Sequence, residues 1–379
     1  MGALTPFIGI LYSALEDANQ EATGFIRAAT KNMEASRVAK GQMVYAPVGN
    51  VSDPKEIVPG AAPASVDNPD IGQVGITIEH EESVSVNLTG NESLGMDVTG
   101  TYDSVTKALF SDAIRKLNNR IEKYMSDKVV GGASRGFGDG STAPFQDADS
   151  LNDLAQLALI LDENGCPEDG RNFVMTNTAM AALRAKSMLN NAYKLGSEEF
   201  IRYGYTDPVL GFRMWRSGGL KKRVASTGTG FLAAEEYKVG ATELQLDTGT
   251  GTIKPGDGIK FGDVTYIVNS ETDGPGIVTL GRPGLVADVA NDAPGTLVTG
   301  FTPCAAFHTD AVHLATRAPA IPKGFGDSAD DRFMLVSEST GLVYEVALYK
   351  QYKQVILEIG IAFGASVMNS SNVAVLLSK

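Results

Sequence analysis

The residues of this chain best able to carry acid–base or metal chemistry are three histidines, His80, His308 and His313. His308 and His313 are five residues apart, which misses the i, i+4 spacing that lets two histidines on one helix face bind zinc. His80 lies within Glu79-His80-Glu81-Glu82, but successive residues of an extended strand face opposite sides. We therefore expect no metal site and interpret all three histidines as structural.

Two short segments resemble ligand-binding loops only superficially. The glycine-rich run 136–141 lacks the Lys-Ser/Thr pair that completes a phosphate loop. The run 147–150 begins like a calcium loop but lacks its glycine and terminal glutamate, so a helix cap at Ser150 explains it better. No Gly-x-Ser-x-Gly nucleophile elbow occurs. We predict a protein without cofactors that is not an enzyme; an enzyme with an unrecognised site is the third-ranked hypothesis.

Composition limits the classes of protein further. The 379 residues suffice for two or three packed units. The formal net charge of −13 disfavours tight duplex binding, although an acidic subunit can still enclose DNA. Cys166 and Cys304 fit neither a disulfide framework nor a metal site, so we predict two small buried apolar side chains. The chain start does not resemble a signal peptide and no run is long enough to span a membrane, so we expect assembly in a reducing cytoplasm.

The N-terminal elements would have to position any functional residue. Apolar spacing over residues 3–40 predicts helix, and residues 42–45 predict a strand. Residues 46–73 hold five prolines, so this stretch is neither a helix nor a central strand. From Val74 to Leu88 apolar residues fall on even positions, which predicts a strand of about 50 Å. Such a strand outreaches a small domain, so residues 42–88 are interpreted as an arm that lies on a neighbouring subunit.

Helix and strand patterns alternate through the middle of the chain. An apolar stripe from Val105 to Met125 predicts a helix of about 26 residues, ended by Gly131-Gly132. A glycine-rich linker is expected over residues 131–144. An α/β region then follows, with helices at 150–161, 178–189 and 198–202 and strands at 173–175 and 211–215.

The remaining elements are predicted to be β-structure. Residues 230–302 have turns between short strands, which indicates a small inserted β-barrel. This segment carries ten acidic and four basic residues, a net charge of 4 − 10 = −6, which favours an exposed position. Residues 342–363 predict a long hairpin that turns at 350–354, and residues 373–377 predict a final strand.

This order of elements resembles the Hong Kong 97-type fold of tailed-bacteriophage major capsid proteins. The runs 211–220 and 306–315 are similar to axial-domain segments of that family, and 252–261 is similar to the inserted domain of podoviral coat proteins. The resemblance implies an α+β chain with these parts: an N-terminal helical arm at 1–40, an extended E-loop arm at 41–90, a peripheral domain with its spine helix at 91–145, an axial domain at 146–229 and 303–332, an inserted β-barrel at 230–302, and C-terminal strands at 333–379.

The same resemblance implies a function in the virion. The chain would self-assemble, as pentamers and hexamers, into an icosahedral head around double-stranded DNA. Scaffolding, portal and possibly decoration proteins would be its partners, with no membrane and no sequence-specific DNA contact. A tail-tube subunit is the alternative. Charged residues of the arm and of the one basic run are the candidate inter-subunit contacts: Lys55, Glu56, Glu79, Glu81, Glu82, Lys221, Lys222 and Arg223.

Overall fold

The structure, a computed structural model, describes residues 4–19, 23–50, 70–147, 150–186, 208–322 and 328–379. The helices are α1 Ile8–Ala18, α2 Gly24–Ala28, α3 Gly90–Val98, α4 Tyr102–Gly131, α5 Asn152–Glu163 and α6 Asn177–Arg184. The strands are β1 Thr30–Val38, β2 Met43–Asn50, β3 Asp70–Thr77, β4 His80–Thr89, β5 Arg135–Phe137, β6 Arg171–Met175, β7 Arg213–Arg216, β8 Thr229–Ala233, β9 Glu243–Thr250, β10 Thr252–Ile253, β11 Gly258–Phe261, β12 Val264–Ile267, β13 Thr272–Asp273, β14 Ile277–Thr279, β15 Pro294–Val298, β16 Thr302–His308, β17 Val312–Pro319, β18 Asp331–Val336, β19 Val343–Gln351, β20 Gln354–Val367 and β21 Val373–Ser378. The predicted α+β class is confirmed.

The 14-residue strand β20 organises the first layer. One edge of β20 pairs with β19 and then with β17, and its other edge pairs with all ten residues of β4. The 30-residue helix α4 lies across this sheet and buries an apolar stripe against it. That stripe includes Phe110, Ile114, Leu117, Ile121 and Met125. The predicted long helix and the predicted C-terminal hairpin are both confirmed.

A second sheet holds the α/β region. Its strand order runs through β5, β21, β16, β6 and β7, and helices α5 and α6 pack on it around a separate apolar core. Cys304 is fully buried in this core and Cys166 lies at its edge, 5% exposed; both thiols are free. The prediction that both cysteines are buried apolar side chains is confirmed, and so are the strands at 173–175 and 373–377.

Residues 229–298 continue this second sheet. Strand β12 pairs with β5, which links β8, β9, β11, β14 and β15 to the α/β region through hydrogen bonds. These strands enclose their own core around Phe231, Leu244 and Tyr266. A single β-bridge joins Val268, the residue after β12, to Leu280, the residue after β14, and so connects the two outer strands of this group. One bridge is not a ladder, so the closed barrel remains a prediction.

Three local predictions were wrong. Residues 30–38 are a strand and not helix, because β1 gains a parallel ladder along β17 and tertiary pairing outweighs helical spacing. The expected linker at 131–144 contains β5, which lies between β12 and β21. The expected single strand over 74–88 is two strands, β3 and β4, separated at Ile78–Glu79. The predicted helix at 198–202 and the end of the helix at 178–189 lie outside the described residues.

Candidate assembly interface

A two-stranded ribbon projects from the body of the subunit. Strands β2 and β3 pair over eight residues each, from Met43 opposite Thr77 to Asn50 opposite Asp70. This ribbon is about 27 Å long at 3.4 Å per residue. Within the described residues neither strand pairs with a third. We call this ribbon the arm. Because an isolated hairpin is marginally stable in water, the arm needs a further surface to lie on.

The root of the arm is fixed to its own subunit. Ile78 accepts a backbone hydrogen bond from Gly41 at 2.8 Å and donates one to Gln42 at 3.0 Å. A small apolar cluster closes beneath these bonds: Val38, Ile76, Ile78, Ala315 and Ala362. Beyond this cluster the arm leaves the core, and Met43 and Tyr45 are 53% and 57% exposed. Two large apolar side chains therefore face solvent where the ribbon begins.

Strand β4 corrects the predicted extent of the arm. The interpretation that residues 42–88 lie on a neighbour is wrong for residues 80–88, because β4 pairs along its whole length with β20 of the same subunit. Val86 and Leu88 are buried there in the main core. The even-position pattern continues across both strands because Ile76 and Ile78 meet the small root cluster while β4 meets the core under α4.

Residues 79–82, which we call the link, join the arm to the body and are held on α4 by charged and aromatic groups. Glu79 pairs with Lys128 at 2.6 Å, and Glu82 pairs with Arg120 at 2.8 Å. The His80 ring stacks on Phe363 at 5.3 Å and meets the edge of Tyr124 at 4.8 Å. His80 therefore packs against its own subunit. These contacts tie the residues that follow the arm to α4 and β20.

The predicted contact residues have different surroundings. Glu79 and Glu82 form ion pairs inside the subunit, and Glu81 is exposed on β4. Lys221 and Lys222 are exposed. Arg223 points inward, where Nη2 donates to the Pro255 carbonyl at 2.5 Å and Nη1 lies 4.0 Å from Asp127. Lys55 and Glu56 lie outside the described residues. An inter-subunit role for all eight residues stays a prediction.

Replacing Lys128 with methionine should loosen the arm without unfolding the subunit. The Glu79–Lys128 pair is about 40% exposed on each side, so its loss should cost no more than about 1 kcal/mol of folding free energy. Hydrogen exchange at residues 75–78 should become faster, because the link loses one of its two ion pairs to α4. Lys116→Met, which breaks an exposed i, i+4 pair with Asp112 on the same helix, is the matched control. Equal exchange rates in both variants would contradict a role of Glu79 in holding the link.

Sequence inspection missed the buried carboxylates, and the most deeply buried of those in the described residues is Glu122 of α4, which is 0% exposed. Its carboxylate accepts backbone hydrogen bonds from Ile26 at 2.8 Å and Phe25 at 3.3 Å, and a hydrogen bond from the Ser217 hydroxyl. Burial, which outweighs these bonds, raises the pKa of Glu122 to about 7. A signal was available, because Glu122 lies three residues before Met125 on the inward stripe of the helix. It joins the N-terminal segment, α4 and the segment after β7.

The described residues hold no group of three His, Cys, Asp or Glu side chains placed to bind a metal ion. Among the helices that the structure describes, none has the length and apolar character needed to cross a membrane.

Comparisons with known proteins give structural likenesses only. No family model matches the chain, and no curated protein does. A structure from Mycobacterium phage Che8 is similar at 14% identity and a TM-score of 0.48, over 89% of this chain and 85% of that one. The capsid structure of cyanophage P-SCSP1u is similar at 13% identity and a TM-score of 0.47, over 94% of this chain and 88% of that one. The structure of a virus-like particle from Pyrococcus furiosus is similar at 10% identity and a TM-score of 0.45, over 98% of this chain and 99% of that one. At these values function has to be derived from the chain's own geometry.

Proposed function

We propose that this chain is the major capsid protein of a tailed bacteriophage, a structural subunit that self-assembles into an icosahedral head around double-stranded DNA. The arm carries this proposal. It is anchored at its root, has exposed apolar side chains beside that root and pairs with no third described strand. Such a ribbon gains stability when it lies on another copy of the chain.

The proposed mechanism is mechanical. Each subunit lays its arm on a neighbour and receives another arm in turn. A stable protein interface buries about 1,600 Å² in total, and a closed shell repeats such contacts around every subunit. Modest contacts therefore sum to a stable container. Ion pairs and stacked rings at the link would keep the arm direction within the range that both pentamers and hexamers accept.

The finer assignments belong to this proposal as well. Residues 1–40 are the N-terminal arm, the E-loop arm is the part of residues 41–90 that precedes β4, α4 is the spine of the peripheral domain, and residues 230–302 are an inserted domain that stabilises the subunit or a contact between capsomers. Scaffolding, portal and decoration proteins are the proposed partners, and the virion is the proposed location. The alternative tail-tube subunit is not favoured, because a 30-residue helix spans one whole sheet of the body.

Removing the arm should abolish shells and spare the fold. The sharpest design replaces residues 45–75 with Asn-Gly, because Val44 lies opposite Ile76 and a two-residue turn can close that pair. The root cluster then keeps Ile76 and Ile78. We expect a folded subunit by circular dichroism and no shells by electron microscopy of purified protein.

A second turn replacement is the matched control. Tyr352-Lys353 already forms a two-residue turn between Gln351 and Gln354 of β19 and β20. Exchanging it for Asn-Gly changes an exposed hairpin turn and leaves the arm intact. This control should still form spherical shells. Normal shells from the arm-less variant would overturn the proposal, and tubes of stacked rings from the parent chain would favour the tail-tube alternative.

A further inference from the structure

Two segments of this acidic chain carry a local excess of positive charge. Residues 208–234 contain five basic residues and no acidic one, and residues 23–33 contain Arg27 and Lys31 and no acidic one. The whole chain has a formal net charge of −13. Both segments therefore differ in sign of charge from the chain as a whole, and they are far apart in sequence.

The fold brings these stretches together around Glu122. Thr23 forms a β-bridge with Ser217, the residue after Arg216. Ile26, the residue before Arg27, donates its backbone hydrogen bond to the Glu122 carboxylate. A Cβ on Gly219, two residues before Lys221, would lie 2.9 Å from the backbone nitrogen of Lys123. Five exposed cations thus originate within three residues of one buried junction, and we call them the junction cations: Arg27, Lys123, Arg216, Lys221 and Lys222.

Within the described parts of the chain, no salt bridge includes a junction cation. None of the ion pairs among the described residues includes any of them, although exposed lysines elsewhere do pair, such as Lys238 with Glu236 and Lys350 with Asp330. Glu122, whose carboxylate interacts with the charge of Arg27, is buried. Burial chiefly, and the charge of Arg27 secondarily, lower the pKa of Lys31.

We propose that the junction cations form a contact surface for the phosphate backbone of nucleic acid, without reading its sequence. This inference rests on the proposed container function. A duplex carries one negative charge per about 1.7 Å of its axis, so it can neutralise several separated cations without a shaped pocket. An acidic protein partner would need buried aromatic or apolar anchors at the centre of its interface. The neighbouring Trp215 is only half-exposed, and its indole nitrogen donates to Asn172 at 2.8 Å, so it offers no stacking platform.

The test is the salt dependence of binding by the unassembled full chain. A fluorescent 30-base-pair duplex of arbitrary sequence is titrated between 20 and 200 mM NaCl, and the logarithm of the affinity is plotted against that of the salt concentration. Each lost phosphate contact lowers the slope by about 0.9. The triple variant Lys123→Gln, Lys221→Gln, Lys222→Gln should therefore lose about 2–3 from the slope and bind at least about tenfold more weakly at 50 mM salt.

A charge-matched variant decides the outcome. Lys116→Gln, Lys238→Gln, Lys350→Gln removes the same charge from lysines that are ion-paired elsewhere, and it should keep the parent slope. Equal losses in both variants, no binding by the parent chain, or equally tight binding of polyglutamate would each overturn the proposal. Shell formation is scored separately by electron microscopy. If the parent chain forms shells but the triple variant keeps the parent slope, only this contact surface is rejected. If the parent chain binds DNA through the junction cations but forms no shells, only the container function is rejected.

Discussion

Replacing Gly364 with alanine is expected to abolish shell formation while the subunit still folds. Gly364 lies on β20 directly beneath the root of the arm. A Cβ there would lie 2.1 Å from the Thr77 carbonyl oxygen and 3.1 Å from the Ile78 Cα. Both are backbone atoms that cannot rotate away. Gly364 has no left-handed backbone conformation, so the contact alone forbids a side chain.

The arm must move to accommodate that methyl group. Moving Thr77 and Ile78 breaks the two backbone hydrogen bonds at the root and lifts Ile76 and Ile78 out of their cluster. Overpacking of this kind costs about 1–3 kcal/mol, which a chain of this size tolerates. The arm, however, would leave the body in another direction, and that change repeats at every subunit contact. Shells are counted by electron microscopy and sedimentation, and the fold is followed by circular dichroism.

Gly360→Ala is the control on the same strand. A Cβ at Gly360 would meet Pro319 Cγ at 3.2 Å and Ser83 Cβ at 3.6 Å, both side-chain atoms. This variant should therefore assemble like the parent chain. If Gly364→Ala also formed normal shells, the direction of the arm would not govern assembly.

Glu122 should make the unfolding free energy of the subunit fall as pH rises towards 8. Its pKa is raised from 4.5 to about 7 in the folded chain, so the folded state holds an extra proton between these values. The stabilisation is complete below about pH 4.5 and is lost as pH rises through 7. At 1.36 kcal/mol per pKa unit the total is about 3 kcal/mol, of which about 2 kcal/mol is lost between pH 5.5 and pH 8.

Glu122→Gln isolates this contribution, because glutamine keeps the shape and cannot ionise. Urea unfolding of unassembled protein at pH 5.5 and pH 8 should show the variant gaining about 2 kcal/mol on the parent chain at the higher pH. Glu81→Gln, at an exposed position of β4, should give no such change. A difference between Glu122→Gln and the parent chain that is the same at both pH values would mean that Glu122 stays ionised throughout. Glu122→Ala should have a lower free energy of unfolding than Glu122→Gln at either pH, because Phe25 and Ile26 lose the acceptor of their backbone hydrogen bonds.

The contacts of Glu122 with the N-terminal segment and with Ser217 explain why its carboxylate affects the stability of the subunit. Glu122 connects α2, the middle of α4 and Ser217, three segments that belong to different parts of the chain. A Cβ at Gly219 would clash with the Glu122 backbone at 2.7 Å, and one at Gly24 would clash with the Arg216 carbonyl at 2.8 Å. The three segments are therefore packed too closely for any of them to shift alone.

Elements whose local residue pattern decides their structure could be predicted from the sequence alone. The apolar stripe of α4 repeats over about six turns, and the alternation in β19 and β20 flanks a two-residue turn, so helix and hairpin follow from local periodicity. The buried cysteines and the acidic character of residues 230–302 follow from composition alone.

The end of the arm and the contacts that hold it could be learned only from the folded chain. The alternation from Val74 to Leu88 is unbroken in sequence, yet β3 leaves the body and β4 stays in it. The reason is that β4 pairs with β20 over ten residues, whereas β3 pairs only with β2. Residues 30–38 show helical spacing but pair with β17, which lies about 280 residues later in the chain. Gly364 carries no local signature of its importance, and the place of Glu122 on the inward stripe of α4 predicts its burial but not its partners. Each depends on atoms that only the folded chain brings within a few ångströms, because long-range contacts, unlike periodicity, are not encoded in any short stretch of sequence.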